Sequence, residues 1–140
     1  MSLEENKITV CRFYDEVFNK GNLDVVDDIF SPDYVIGGLP PGKSPSREGL
    51  KQTALMYRNA FPDLHVTIHD TIAEEGKIAV RLVVTGTHKG LFYSIEPTNK
   101  QVEIKGITIY RFKDGKIVEG WAIRDELGTF QQLGVIPKQW

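Results

Sequence analysis

The hydrophobic period of this chain changes once, and that change constrains its architecture more than any other feature. Up to Phe61-Pro62-Asp63 the apolar residues recur every three or four positions. Beyond it they alternate, through Val66 and Ile68, then Ile78, Val80, Leu82 and Val84, then Val102 and Ile104, and finally Ile117 to Ile123. A period of about 3.6 buries one stripe of a helix, and a period of 2 buries one face of a strand. Helices are therefore predicted first and strands second. Ile8, Cys11, Tyr14, Val17 and Phe18 mark a first helix stopped at Lys20-Gly21, with Cys11 expected in the core. Asn22 offers a cap to a short second helix carrying Leu23, Val26, Ile29 and Phe30 and ended by Ser31-Pro32. The proline- and glycine-rich stretch 37–45 reads as a loop, and Ser46 as the cap of a third helix bearing Leu50, Thr53, Ala54 and Tyr57. Glu75-Gly76-Lys77 and Lys113-Asp114-Gly115-Lys116 read as hairpin turns. The predicted fold is α+β, an antiparallel meander with one face covered by three N-terminal helices, in a single domain spanning 1–140.

Composition narrows the function. The chain is 41% hydrophobic and 26% charged, an ordinary globular mixture, and no apolar run approaches the roughly 20 residues of a membrane span. The segment MSLEENK has neither a basic nor an apolar leader region, so a soluble, cytoplasmic protein is expected. A formal charge of −2, with Lys and Arg scattered, lacks the footprint of a nucleic-acid binder. A lone cysteine without CxxC or Cys/His neighbours offers no redox motif or thiolate metal site. GxSxG, Walker, HExxH and GxGxxG motifs are absent. The expected partner is a small molecule or a second copy of the chain.

Within GKIVEGWAIRDELG, Asp125 stands at the end of a Trp-bearing strand and just before a short helix. Alternation gives Glu119, Trp121, Ile123 and Asp125 one parity and Gly120, Ala122 and Arg124 the other. A carboxylate beside Trp121 and Ile123 would be desolvated, which raises its pKa toward that of a useful general base. The competing role is a helix cap, in which backbone N–H groups would lower it. His88 shares the parity of Ile78 to Val84 and lies at a strand end, where it is a candidate donor to an enolate oxygen or a histidine bonded to backbone. Tyr14 and Tyr110 are candidate ligand contacts, and Phe18, Met56, Phe61 and Phe92 candidate apolar lining; packing in the core is the alternative for each. The glycine at 106 suggests a bulge that could invert the faces of Thr108 and Tyr110. His65 and His69 would lie roughly 13 Å apart on a strand, too far to share a metal, and are expected to be exposed. Trp140 is either a free tail or an anchor on a neighbouring subunit.

The segments RFYDEVFNKGNLDVVDDIFSPDYV (12–35), REGLKQTALMYRNAFPDLHVTI (47–68), VTGTHKG (84–90) and GITIYRFKDGKIVEGW (106–121) resemble the SnoaL-like polyketide cyclase (ester cyclase) family. The resemblance runs from about Ile8 to Gly134. It implies a cone-shaped α+β barrel shared with ketosteroid isomerases, a homodimer paired through the open sheet face, and a ligand cavity between helices and sheet. It also implies intramolecular aldol closure of a polyketide or related ketone without metal or cofactor, with the aspartate of the motif "Trp, three residues, Asp, then Leu-Gly" moving the proton. That aspartate matches Asp125, between Trp121 and Leu127-Gly128. Relatives often carry a polar pair after the PDYV-like segment where this chain has Ile36-Gly37-Gly38, so a less polar cavity is expected. A non-catalytic small-molecule-binding module on the same scaffold remains the alternative.

Overall fold

In the computed structural model, which describes residues 2–137, Ser2 opens α1 (Leu3–Phe13) by accepting from the Glu5 amide. The helix then widens into a π-type turn over Tyr14–Asn19. Its buried stripe is Asn6, Val10 and Phe13, continued by Tyr14 and Val17. Ile8 and Cys11 are exposed, which corrects the expected face. At 3.6 residues per turn Ile8 lies about half a turn from the centre of that stripe, and Cys11 stands outside it. Trp140 lies outside the described residues.

α2 (Val25–Ile29) starts behind Asp24 rather than at Asn22. The chain then forms β1 (Phe30–Gly37), a strand the alternation did not predict because Pro32 interrupts it. Proline is tolerated there because β1 is an edge strand. α3 (Arg47–Ala60) is capped by Ser46, whose hydroxyl accepts from the Gly49 amide. β2 (His65–Glu74), β3 (Lys77–Thr87), β4 (Gln101–Lys113) and β5 (Lys116–Arg124) follow, and α4 (Glu126–Leu133) closes the described chain. The β4–β5 hairpin turns at Asp114-Gly115, both at positive φ, the backbone a two-residue turn requires.

The strand order is β1-β5-β4-β3-β2. β2 to β5 are antiparallel, as expected, but β1 runs parallel to β5 and makes the sheet mixed. The sheet is curved and unclosed, with the helices against one face. That face supplies Ile78, Val80, Leu82 and Val84 from β3, and Val102, Ile104, Thr108 and Tyr110 from β4. Among the described residues no helix is long and apolar enough to cross a membrane.

One irregularity fixes which residues of β5 face the helices. Arg111 and Phe112 of β4 pair with Glu119 and Ile117, so β5 spends two steps on one and Val118 is bulged. A bulge inverts the parity of everything beyond it. Ile117 is fully buried, and Gly120 again is buried, while Trp121 and Ile123 stand exposed on the opposite face. The face expected to carry Trp121 and Asp125 toward the helices is thereby corrected: that face carries Gly120, Ala122 and Arg124.

Candidate active site

A cavity opens between the end of α1, α3 and the covered face of the sheet. The π-type turn contributes Tyr14 and Phe18, α3 contributes Leu50, Thr53 and Tyr57, and the loop after β1 contributes Leu39. From below come Leu82 and Val84 of β3, Thr108 and Tyr110 of β4, and Ala122 and Arg124 of β5. The room left for the centres of water-sized molecules is about 60 Å³, several times the roughly 10–15 Å³ that one buried water needs. The walls are mainly apolar, and the polar groups gather in two places.

The first is a pair of phenols. The Tyr14 and Tyr110 hydroxyls share a hydrogen bond of 2.5 Å. Both rings are buried against Phe13, and Tyr110 also packs edge-on to Phe30. Burial raises the pKa of both groups, because an isolated phenolate would lose its hydration there. Tyr14 and Tyr34 nearby raise Tyr110 further, while the Thr108 hydroxyl opposes the shift at both. The pair therefore stays neutral, and only one of its two protons is used in the bond between them. The other can be donated to a third oxygen, that of the Thr108 hydroxyl or of a ligand. Tyr34, whose own buried hydroxyl has no partner among the described residues, packs edge-on to Phe30.

The second is Arg124, the only charged side chain on the cavity wall among the described residues. Its Nη2 donates to the Gly38 carbonyl at 2.7 Å, and its guanidinium carbon stands 6.0 Å from the centre of the Tyr57 ring. Glu126 lies at 4.0 Å, half exposed.

Of the residues singled out in the sequence, the cavity collects Tyr14, Phe18 and Tyr110. Met56 is partly buried on α3 and packs against the core outside the lining. Phe61 and Phe92 form a separate aromatic cluster with Tyr57 and His88. His88 is fully buried there, its Nδ1 accepting from the Thr98 amide at 3.2 Å, which leaves the proton on an unpartnered Nε2. His65 and His69 are exposed on β2. Asp125 is exposed and caps α4, accepting from the Gly128 amide at 2.8 Å. With Trp121 it borders the groove on the open face of the sheet rather than the cavity. Thr53, Thr108 and Arg124 were missed. The Val118 bulge hid Arg124, since it leaves no mark in a two-residue alternation. Among the described residues no cluster of three or more His, Cys, Asp or Glu side chains could hold a metal ion.

Residues 8–133 match the family model of the SnoaL-like polyketide cyclases. The chain belongs to that family. Among solved structures, a candidate polyketide cyclase from Bacillus cereus is 32% identical, with 91% of this chain and 79% of that one aligned at a TM-score of 0.79. IdmH, a candidate polyketide cyclase from Streptomyces antibioticus, is 34% identical over 92% of this chain and 98% of its own, at a TM-score of 0.78. AclR, a candidate hydroxylase from Streptomyces galilaeus, is 30% identical over 98% and 85%, at 0.85. No functionally curated protein matches. SnoaL-like relatives thus carry more than one named activity, and the reaction of this member has to be argued from its own cavity.

Proposed function

We propose that this SnoaL-like protein promotes intramolecular aldol closure of a ketone or polyketide-like small molecule held in the helix-covered cavity, by hydrogen bonding to the developing enolate oxygen. The observation that carries this reading is the buried Tyr14–Tyr110 pair, neutral and fixed in an apolar wall. Donors already oriented in a dry site stabilise negative charge that appears during a reaction far better than water does. In the proposed sequence the acidic methylene between two carbonyls loses a proton to water at the mouth. Its enolate oxygen accepts from the pair, and its carbon attacks a second carbonyl to form the new C–C bond. The resulting alkoxide takes a proton back, so the closure is a net isomerisation and asks for no metal or cofactor. The test is a β-keto ester carrying a second ketone three methylenes away, which closes to a 3-hydroxycyclohexanone and is followed by NMR through loss of the second ketone's carbonyl signal. Saturable acceleration over buffer is the expected result.

Binding without acceleration would instead establish a small-molecule-binding module. One observation favours that second reading: among the described residues, none that lines the cavity is Asp, Glu or His. Our reading gives Asp125 the role of a cap that places Arg124 and α4, supported by its bond to the Gly128 amide. Asn caps helices about as well as Asp, whereas Ala costs about 1 kcal/mol. Asp125→Asn is therefore expected to keep both turnover and Tm, and Asp125→Ala to lose stability with turnover kept. Loss of turnover in a fully folded Asp125→Asn protein would return the general-base role to this carboxylate.

The open face supports pairing of two copies. Ile107 and Ile109 of β4 stand directly across from Ile123 and Trp121 of β5, and all four are exposed, Ile123 at 77%. Arg81 and Lys105 flank this patch together with Glu103 and Asp125, so a two-fold arrangement can match opposite charges around an apolar centre. A homodimer by sedimentation that Ile123→Lys converts to monomer is the expected outcome; a wild-type monomer at high concentration would overturn it.

A further inference from the structure

We propose that Arg124 is the anchor for a carboxylate on the substrate, so that this cavity selects an acid over the corresponding ester. The inference rests on the cavity being the substrate site and names the chemical class that it takes. Arg124 lies on the wall with its side chain only 13% exposed. Its Nε–H is enclosed and meets no acceptor at all, while its Nη2 is engaged by a neutral carbonyl, that of Gly38. Glu126 stands at 4.0 Å with half its side chain in solvent, and the Tyr57 and Tyr93 hydroxyls adjoin the guanidinium without charge of their own. The cation is therefore only partly compensated, in surroundings where both an unpaired N–H and an unmatched charge are costly.

The geometry of the guanidinium indicates which group it would hold best. A guanidinium offers parallel N–H groups along one edge, and a planar anion with two oxygens accepts both at once. The Nε–H is itself shut off from the cavity, so a carboxylate held there would meet the guanidinium at its Nη end, beside the Gly38 carbonyl, and supply the missing charge. An ester offers the same carbonyl but neither the second strong acceptor nor the charge. The phenol pair on β4 and α1 supplies the other polar end of the cavity. A matching ligand thus has an apolar body with a carboxylate toward Arg124 and an oxygen acceptor toward Tyr14 and Tyr110.

Hydroxynaphthoic acid, with a phenol at one end and a carboxylate at the other, is a suitable probe beside its methyl ester and unsubstituted naphthol. Calorimetric titration of the full chain at neutral pH should show the carboxylate binding about tenfold or more tighter than the ester, the value of a charge-assisted hydrogen bond. Arg124→Gln should reduce that preference to about twofold, and Arg124→Lys, which keeps the charge but not the fork, should fall between them. Equal affinity for acid and ester in the wild-type protein overturns the proposal whatever the variants do, as does a preference that survives Arg124→Gln. Because the readout is binding, the two readings fail separately. Ring closure without an acid preference removes this inference alone, and an acid preference without ring closure removes the catalytic one.

Discussion

Replacing Tyr110 with Phe is expected to lower kcat for ring closure about 10²–10³-fold while leaving KM nearly unchanged. That is the usual consequence of removing one donor aimed at a developing oxyanion. A bond that strengthens mainly as charge appears contributes little to ground-state binding, so KM should report it only weakly. Tyr14→Phe should cost a similar amount, because the two hydroxyls act as one chain: one donates to the other, and the terminal proton reaches the substrate. For the same reason the double variant should be little slower than either single one. Losses that multiply would mean two independent donors. Since burial raises both phenols above their usual value of 10.0, neither ionises under physiological conditions. The alkaline side of the pH–rate profile should therefore stay flat toward pH 10 as far as these groups are concerned, and a fall near neutrality would implicate another residue. Each phenylalanine leaves a buried hydroxyl with one partner fewer, a cost of about 1–3 kcal/mol, so Tm must be measured beside the rate to separate unfolding from lost chemistry.

The contrast between Tyr110 and Asp125 shows what the sequence could and could not specify. Alternation on β4 is unbroken from Val102 to Phe112, so the inward face of Thr108 and Tyr110 followed from counting; Gly106 bends nothing in the register. On β5 the same counting placed Asp125 inside, and one bulged residue, Val118, turned it out. A bulge depends on how the neighbouring strand is satisfied, and no local pattern of side chains announces it. β1 was hidden for a related reason. Its Phe30, Tyr34 and Ile36 are buried, but Ser31-Pro32-Asp33 breaks the alternation, and only parallel pairing with β5, distant in sequence, makes the segment a strand. The caps at Ser46 and Asp125, the second hairpin turn and the change of period were legible because each is decided within a few residues. The polar composition of the cavity was not, since Arg124, Thr53 and Tyr110 come together only when three elements close.

Gly38 is the position where a single methyl group should do most damage. Gly38 sits at φ +88, and a Cβ built there would stand 1.8 Å from the Ala122 carbonyl oxygen. Ala122 cannot retreat, because it is in the middle of β5 and paired with Thr108 of β4. The loop must move instead. Positive φ costs a residue with a side chain about 1–2 kcal/mol, and the clash adds to it, so Gly38→Ala should lose on the order of 3 kcal/mol, or about 10 °C in Tm. The consequence reaches the cavity, because the Gly38 carbonyl holds Arg124 and the next residue, Leu39, forms part of the wall. Affinity for the naphthoate probe should fall about tenfold or more as the guanidinium loses its fixed position. Gly37→Ala provides the control one residue away. Its φ is not positive, and its new Cβ would meet only Trp121 Cδ1 at 3.8 Å, an ordinary contact, so stability and binding should both stay near wild type. If Gly38→Ala melted with the wild-type protein, the loop would follow another path in solution, and the placement of Arg124 by its carbonyl would have to be abandoned.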